Sequence, residues 1–104
     1  MKYTGRQFTY DHSENRLLDV ILTESQLSAD YLQDGKRGSL VAASIDGVCY
    51  RGTYGVSAPH PDNHFETRLF RCANGEVLLF GRWWEIGGEK GTNLMHLFPD
   101  KSQE

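Results

Sequence analysis

Arginines and aromatic residues lie close together in the C-terminal half of the chain and are its best candidates for binding a ligand. Arg68, Arg82 and Trp84 fall on two β-prone segments, and Tyr54 falls on the segment before them. A guanidinium stacked on aromatic rings binds anions and carboxylates, and the same groups form protein hot spots and platforms for single-stranded RNA. The sequence therefore predicts a ligand site containing Arg82 and Trp84, with Arg68 or Tyr54 nearby.

The competing interpretation of these residues is structural. Large aromatic side chains are commonly buried whatever a protein does, and arginines often extend from the edge of a core into solvent. A partner for Arg82 within the chain, such as Glu85 or Glu66, would make this arginine structural, whereas a partner supplied by a ligand would place it in a binding site.

A second group of chemically capable residues is His60, Asp62 and His64. In an extended segment these three side chains project to one side, as a strand presents several ligands to one metal ion. Prolines on either side of His60 indicate a turn-rich loop over 58–64, where such residues are ordinary turn formers. We therefore predict an exposed loop with no bound ion and no cofactor, and keep a metal-assisted enzyme as the alternative function.

The two cysteines, Cys49 and Cys72, are too few for a disulfide scaffold and carry no nucleophile signature. We predict two unbridged thiols that serve as packing residues.

Composition is that of a globular protein: 104 residues, 38% hydrophobic and 24% charged, with a net charge of −3. This length predicts a single domain over 1–104. The acidic balance disfavours a nucleic-acid partner. The first residues contain no apolar signal segment and no later run is long enough to span a bilayer, so we expect a cytoplasmic protein without a membrane partner.

Two dipeptides, Asp46-Gly47 and Asn74-Gly75, lie between apolar runs and predict two-residue type I′ hairpin turns. With that turn type, Ala43 pairs with Tyr50 and Thr67 pairs with Arg82. The resulting core face of the first hairpin holds Val41, Ala43, Ile45, Val48, Tyr50, Tyr54 and Val56.

The segment 23–26 has the form of a capping box, and Leu27 and Tyr31 lie four residues apart. These features predict a short helix over 24–34 that ends at Gly35. Residues 14–22 fit either a strand or a helix.

These elements combine into a mainly β fold: a β-hairpin over 1–23, a covering helix over 24–34, a β-meander over 39–98 and a frayed tail over 99–104. Glycines within the strands, Gly52, Gly55 and Gly81, indicate strong curvature. We expect a curved antiparallel meander or small barrel of six to seven strands.

The sequence favours a small non-enzymatic binding or regulatory module, whose partner is a small molecule or another protein. A metal-assisted enzyme and a single-stranded nucleic-acid binder are the alternatives.

Overall fold

The computed structural model describes residues 2–9 and 14–100, and within them the chain forms eight strands and no helix. The strands are β1 (Lys2–Thr9), β2 (Glu14–Leu22), β3 (Gln26–Gln33), β4 (Lys36–Ala43), β5 (Cys49–Val56), β6 (His60–Arg71), β7 (Val77–Glu85) and β8 (Lys90–Pro99). Each strand is antiparallel to the next, and β8 pairs with β1 to close a barrel. The predicted mainly β fold and small barrel are confirmed.

The predicted helix over 24–34 is wrong, because this segment forms a bend followed by β3. The Thr23 hydroxyl accepts a hydrogen bond from the backbone N–H of Gln26 at 3.0 Å, the contact that a capping box would make, but β3 begins here instead. Leu27 and Tyr31 are both buried, and Ala29 between them is buried too. A four-residue spacing fits a helix face and a strand face equally, and pairing with β2 and β4 on both sides selects the strand.

Residues 14–22 form a strand, β2, with an irregularity between Leu18 and Ile21. Asp19 lies in this irregularity with a φ of 52°. Arg37 donates hydrogen bonds to Asp19 at 2.9 Å and to Asp30 at 2.6 Å, so one guanidinium links three neighbouring strands on the outside of the barrel.

The two-residue hairpin turn with positive φ at both positions occurs at Asp34-Gly35, where φ is 52° and 78°. Gln33 pairs with Lys36 directly across it. This is the type I′ geometry that was expected at Asp46-Gly47 and Asn74-Gly75.

At Asn74-Gly75 only the glycine of the pair has positive φ, at 86°. The N–H of Cys72 donates to the carbonyl of Glu76 at 2.9 Å, and the N–H of Gly75 donates to the carbonyl of Cys72 at 3.3 Å. The loop therefore has three residues, a type I turn followed by a glycine bulge. The extra residue moves the register by one, so Glu66 rather than Thr67 pairs with Arg82.

The loop at Asp46-Gly47 is also longer than two residues. The Asp46 carboxylate accepts hydrogen bonds from the N–H groups of Val48 and Cys49 at 2.8 and 2.9 Å, which holds an open turn. Ala43 consequently pairs with Arg51 instead of Tyr50. The predicted core face was therefore wrong for its apolar members Val41, Ala43, Ile45 and Val56, which are exposed, whereas Tyr50 is buried as expected.

Two strand glycines allow neighbouring backbones to approach closely in this curved sheet. A Cβ atom on Gly52 would lie 1.7 Å from the Val41 carbonyl oxygen, and one on Gly81 would lie 1.9 Å from that of Glu66. Any larger residue would push these strands apart, which agrees with the curvature predicted from the glycines.

The two ends of the barrel differ. At the closed end, where the even-numbered strands terminate, the interior is filled with apolar side chains: Tyr3, Leu22, Leu27, Ala42, Tyr50, Leu69, Val77 and Leu97. The Tyr50 hydroxyl donates to the Thr23 carbonyl at 2.6 Å beside this core. At the open end, where the odd-numbered strands terminate, the inward-facing residues are largely polar.

Two boundaries differ from the sequence-based expectations. Strand β6 begins at His60, so most of the predicted loop over 58–64 is strand. Pro99 is the last residue of β8, and the N–H of Asp100 donates to the Lys2 carbonyl at 3.1 Å. The rest of the predicted frayed tail, 101–104, lies outside the described residues.

Candidate functional site

A cavity of about 270 Å³ occupies the open end of the barrel. An eight-stranded barrel is just wide enough for side chains to fill it or for one small ligand to be held inside. Here the closed end is filled and the open end is not. The cavity is therefore the natural candidate for a binding site.

One wall of the cavity is aromatic and apolar, formed by Leu40, Tyr31, Tyr54, Phe65 and Trp83. The ring of Tyr54 meets Phe65 edge-on at 6.4 Å between centroids and meets Trp83 edge-on at 6.5 Å. Edge contacts of this kind favour one relative orientation of the rings, and this wall presents apolar surface to the cavity.

Two carboxylates, Glu85 and Glu89, lie near the mouth of the cavity. The Tyr54 hydroxyl donates a hydrogen bond to Glu85 Oε2 at 2.5 Å. Burial raises the pKa of Tyr54 above the ordinary value for a phenol, and the hydrogen bond to Glu85 raises it further. Burial also raises the pKa of Tyr31, with a smaller contribution from the charge of Glu85. Both phenols are therefore neutral donors at physiological pH.

The opposite wall carries amide and hydroxyl side chains: Gln7, Thr9, Asn15, Gln33 and Asn93. Asn15 is 5% exposed and its Nδ2 donates to Gln7 Oε1 at 3.3 Å. Asn93 is 6% exposed, and its buried Oδ1 has no hydrogen-bond partner among the described residues. Burying a polar atom without a partner is costly, so Asn93 Oδ1 is an acceptor that a bound molecule or water would satisfy.

The four sequence-predicted site residues do not form one site. Tyr54 lines the cavity, whereas Arg68, Arg82 and Trp84 lie on the outer face of β6 and β7. Arg82 stands over the Trp84 ring at 5.3 Å, and Trp84 stacks on His64 at 5.6 Å between centroids. Arg82 and Trp84 are therefore in contact as expected, but on the outer surface of the barrel.

The partner of Arg82 comes from the chain itself. Its Nε donates to Glu66 Oε1 at 2.7 Å, and Arg51 forms an ion pair with the same carboxylate at 3.1 Å. Arg68 and Arg82 line a shallow outer groove of about 400 Å³ with Cys49 and Phe80. Of the two internal partners considered for Arg82, the structure therefore shows Glu66.

The histidine segment does not gather its ligands. His60 Nδ1 lies 3.9 Å from Asp62 and accepts a hydrogen bond from the Asp62 N–H at 3.1 Å, while His64 stacks on Trp84. Over residues 2–9 and 14–100, no three His, Cys, Asp or Glu side chains come together in a way that could hold a metal ion. Cys49 is exposed, Cys72 is half-buried, and both are free.

Comparison of the chain with protein-family models, curated proteins and solved structures yields no significant match. In the described part of the chain, no helix has the length and apolar character needed to cross a lipid bilayer. The function therefore has to be argued from the cavity.

Of the residues that line the cavity, sequence reasoning placed only Tyr54 in the site, and the residues it missed include Trp83, Glu85 and Asn93. Alternation along β7 places Val77, Leu79, Gly81, Trp83 and Glu85 on one face, and this face points into the barrel. The predicted two-residue turn at Asn74-Gly75 set this face beside the wrong face of β6, whereas the three-residue loop sets it beside Phe65 and Leu69. The alternation within β7 was therefore a usable signal, and the one-residue register error hid it.

Proposed function

We propose that this protein is a non-enzymatic small-molecule-binding barrel whose ligand sits in the cavity at the open end. The observation that carries the proposal is that polar side chains line an empty space in the interior of a barrel whose other half is closely filled. A chain selected only for a stable fold would fill such a space with apolar side chains, because buried polar atoms without partners destabilise a core.

The arrangement of groups supports this proposal. Binding sites for small molecules typically combine an apolar or aromatic wall with a few polar groups that fix orientation. The cavity has both, with Tyr54 and Trp83 on one side and Asn15 and Asn93 on the other. Its volume lies just below the roughly 300–1,000 Å³ typical of pockets for drug-sized ligands. A ligand of metabolite size is therefore the best fit.

This proposal retains Tyr54 from the sequence-based site and moves the rest of the site to the interior. Arg82 is engaged by Glu66 on the outer surface, which favours a structural role. The alternative of a metal-assisted enzyme loses support because His60, Asp62 and His64 do not converge on one point.

The test is a screen of small aromatic amines, alcohols and acids against isotope-labelled protein by NMR. The two adjacent tryptophans provide an internal control, because Trp83 lines the cavity and Trp84 lies outside it. A ligand in the cavity shifts the indole N–H signal of Trp83 and leaves that of Trp84 in place. Compounds that shift only Trp84, or a screen in which no compound shifts Trp83, would contradict the proposal.

A further inference from the structure

We infer that the cavity recognises a small organic cation, an ammonium or amidinium group attached to a compact apolar body, with the cationic group placed at Glu85. This inference rests on the proposed function and names the class of ligand for the same site. Three observations carry it: the charges that line the cavity, the aromatic wall and the unpartnered acceptor of Asn93.

Among the described residues that line the cavity, the only charged side chains are those of Glu85 and Glu89, and both are negative. Lys36 and Lys90 lie at the same end of the barrel but are exposed, and neither forms an ion pair with these carboxylates in the described part of the chain. Tyr54 occupies Glu85 Oε2, which leaves Oε1 able to accept a bond from a ligand. A carboxylate held by a phenol at the edge of an aromatic cavity attracts a cation and repels an anion.

The aromatic wall suits a cation with an apolar body. Tyr31, Tyr54 and Trp83 surround the space beside Glu85, and ring faces attract cations, most strongly where water is excluded. The charge of Glu85 contributes to the raised pKa of both Tyr31 and Tyr54, after the larger effect of burial. The charge of Glu85 therefore acts on both of these phenols.

The wall of the cavity also holds a buried acceptor. Asn93 Oδ1 is buried, lies in a side chain that lines the cavity, and has no donor among the described residues. A ligand that donates N–H bonds satisfies both Glu85 and Asn93. A carboxylate or phosphate ligand would leave Asn93 Oδ1 unsatisfied and would stand against Glu85, so the cavity discriminates against anions.

The test uses three probes that share a benzyl group: benzylamine, benzyl alcohol and phenylacetate. Each is titrated against the protein while the indole N–H signal of Trp83 is followed by NMR. We expect benzylamine to bind about tenfold more tightly than benzyl alcohol, and phenylacetate to bind more weakly than either. Glu85→Gln should weaken the binding of benzylamine more than that of benzyl alcohol, so that the preference for the amine is lost.

The matched control is Glu24→Gln, which removes the same charge from an exposed position at the closed end. It should keep the preference for benzylamine. If benzyl alcohol or phenylacetate binds in the cavity as tightly as benzylamine, the cation assignment is overturned and the proposed binding function stands. Equal loss of the preference in both Gln variants would overturn the assignment too, because a general charge effect would then explain it. If no compound in the wider screen shifts Trp83, the proposed function itself fails.

Discussion

Tyr54 and Glu85 join β5 to β7, two strands that are not neighbours in the sheet, through a hydrogen bond of 2.5 Å inside the barrel. The bond holds the aromatic wall and the acidic mouth of the cavity in one arrangement. The folded structure also disfavours ionisation of Tyr54, because only the protonated phenol can donate this hydrogen bond.

The first prediction concerns alkaline titration. Burial raises the pKa of Tyr54 above that of a phenol in the unfolded chain, and the hydrogen bond to Glu85 raises it further. The contribution of Tyr54 to the stability of the fold is therefore fully present below about pH 10, and it is lost as the pH rises through the higher, folded-state pKa. Ultraviolet titration should show Tyr54 ionising late, and Tyr54→Phe should remove one late phenol. A wild-type curve that fits ordinary phenols alone would contradict this expectation.

The second prediction concerns acid. The hydrogen bonds from Arg37 and then Ser39 lower the pKa of Asp30 below its usual value. Since the folded state favours the ionised carboxylate, its contribution to stability is present above about pH 4 and is lost as the pH falls through the lower, folded-state pKa. Asp30→Asn should lower the melting temperature at neutral pH, and the difference from wild type should shrink in acid. A difference that stays constant with pH would show that Asp30 acts without its charge.

The third prediction tests the three-residue loop. Gly75 has a φ of 86°, in the left-handed region where a Cβ atom is unfavourable. Gly75→Ala should cost about 1–2 kcal/mol in the free energy of unfolding. Gly87 is the control, because a Cβ atom there meets nothing within 4 Å and no positive φ is recorded for it. Denaturant unfolding that gives equal costs at the two positions would contradict the assigned turn.

Adjacent tryptophans test the register of β7. Trp83 packs against the core cluster, whereas Trp84 contacts His64 and Arg82 on the outside. Trp83→Ala should destabilise the fold by on the order of 2–3 kcal/mol, somewhat less than a fully buried Trp. Trp84→Ala should cost under about 1.5 kcal/mol. The opposite order in denaturant unfolding would support the register with Thr67 opposite Arg82.

The barrel could be predicted from the sequence more readily than its registers. Three Asp-Gly or Asn-Gly pairs occur in the chain, at 34–35, 46–47 and 74–75, and only the first makes the two-residue turn. The loop at 46–47 is longer because the Asp46 carboxylate accepts backbone hydrogen bonds, and the loop at 74–75 is longer because of the glycine bulge at Gly75. Such local choices depend on the strands that the loops connect, and a dipeptide alone does not reveal them.

The missed strand β3 shows a different limit. The helix and strand periods coincide for residues four apart, so Leu27 and Tyr31 carry no information that separates the two. Closure of the barrel decides the matter, because β2 and β4 each need a neighbour. That requirement is long-range and is not visible in the segment 24–34 itself.

For the candidate site, too, local sequence predicted less than the long-range pairing of the strands decides. The residue types were predictable, since Tyr54 and a Trp on β7 both belong to the cavity. Which Trp faces inward depends on one residue of register, and the pairing of Glu85 with Tyr54 depends on the curvature that brings β5 and β7 together.

If the cavity at the open end binds the ligand, a bulky side chain at its mouth should block binding. Gln33 and Gln26 lie at opposite ends of the same strand, and only Gln33 lines the cavity. Binding of benzylamine should be measured by NMR titration for Gln33→Trp and Gln26→Trp, after circular dichroism has shown that both variants fold. We expect Gln33→Trp to abolish binding and Gln26→Trp to retain wild-type affinity. Wild-type affinity in a folded Gln33→Trp variant would show that the ligand binds outside this cavity.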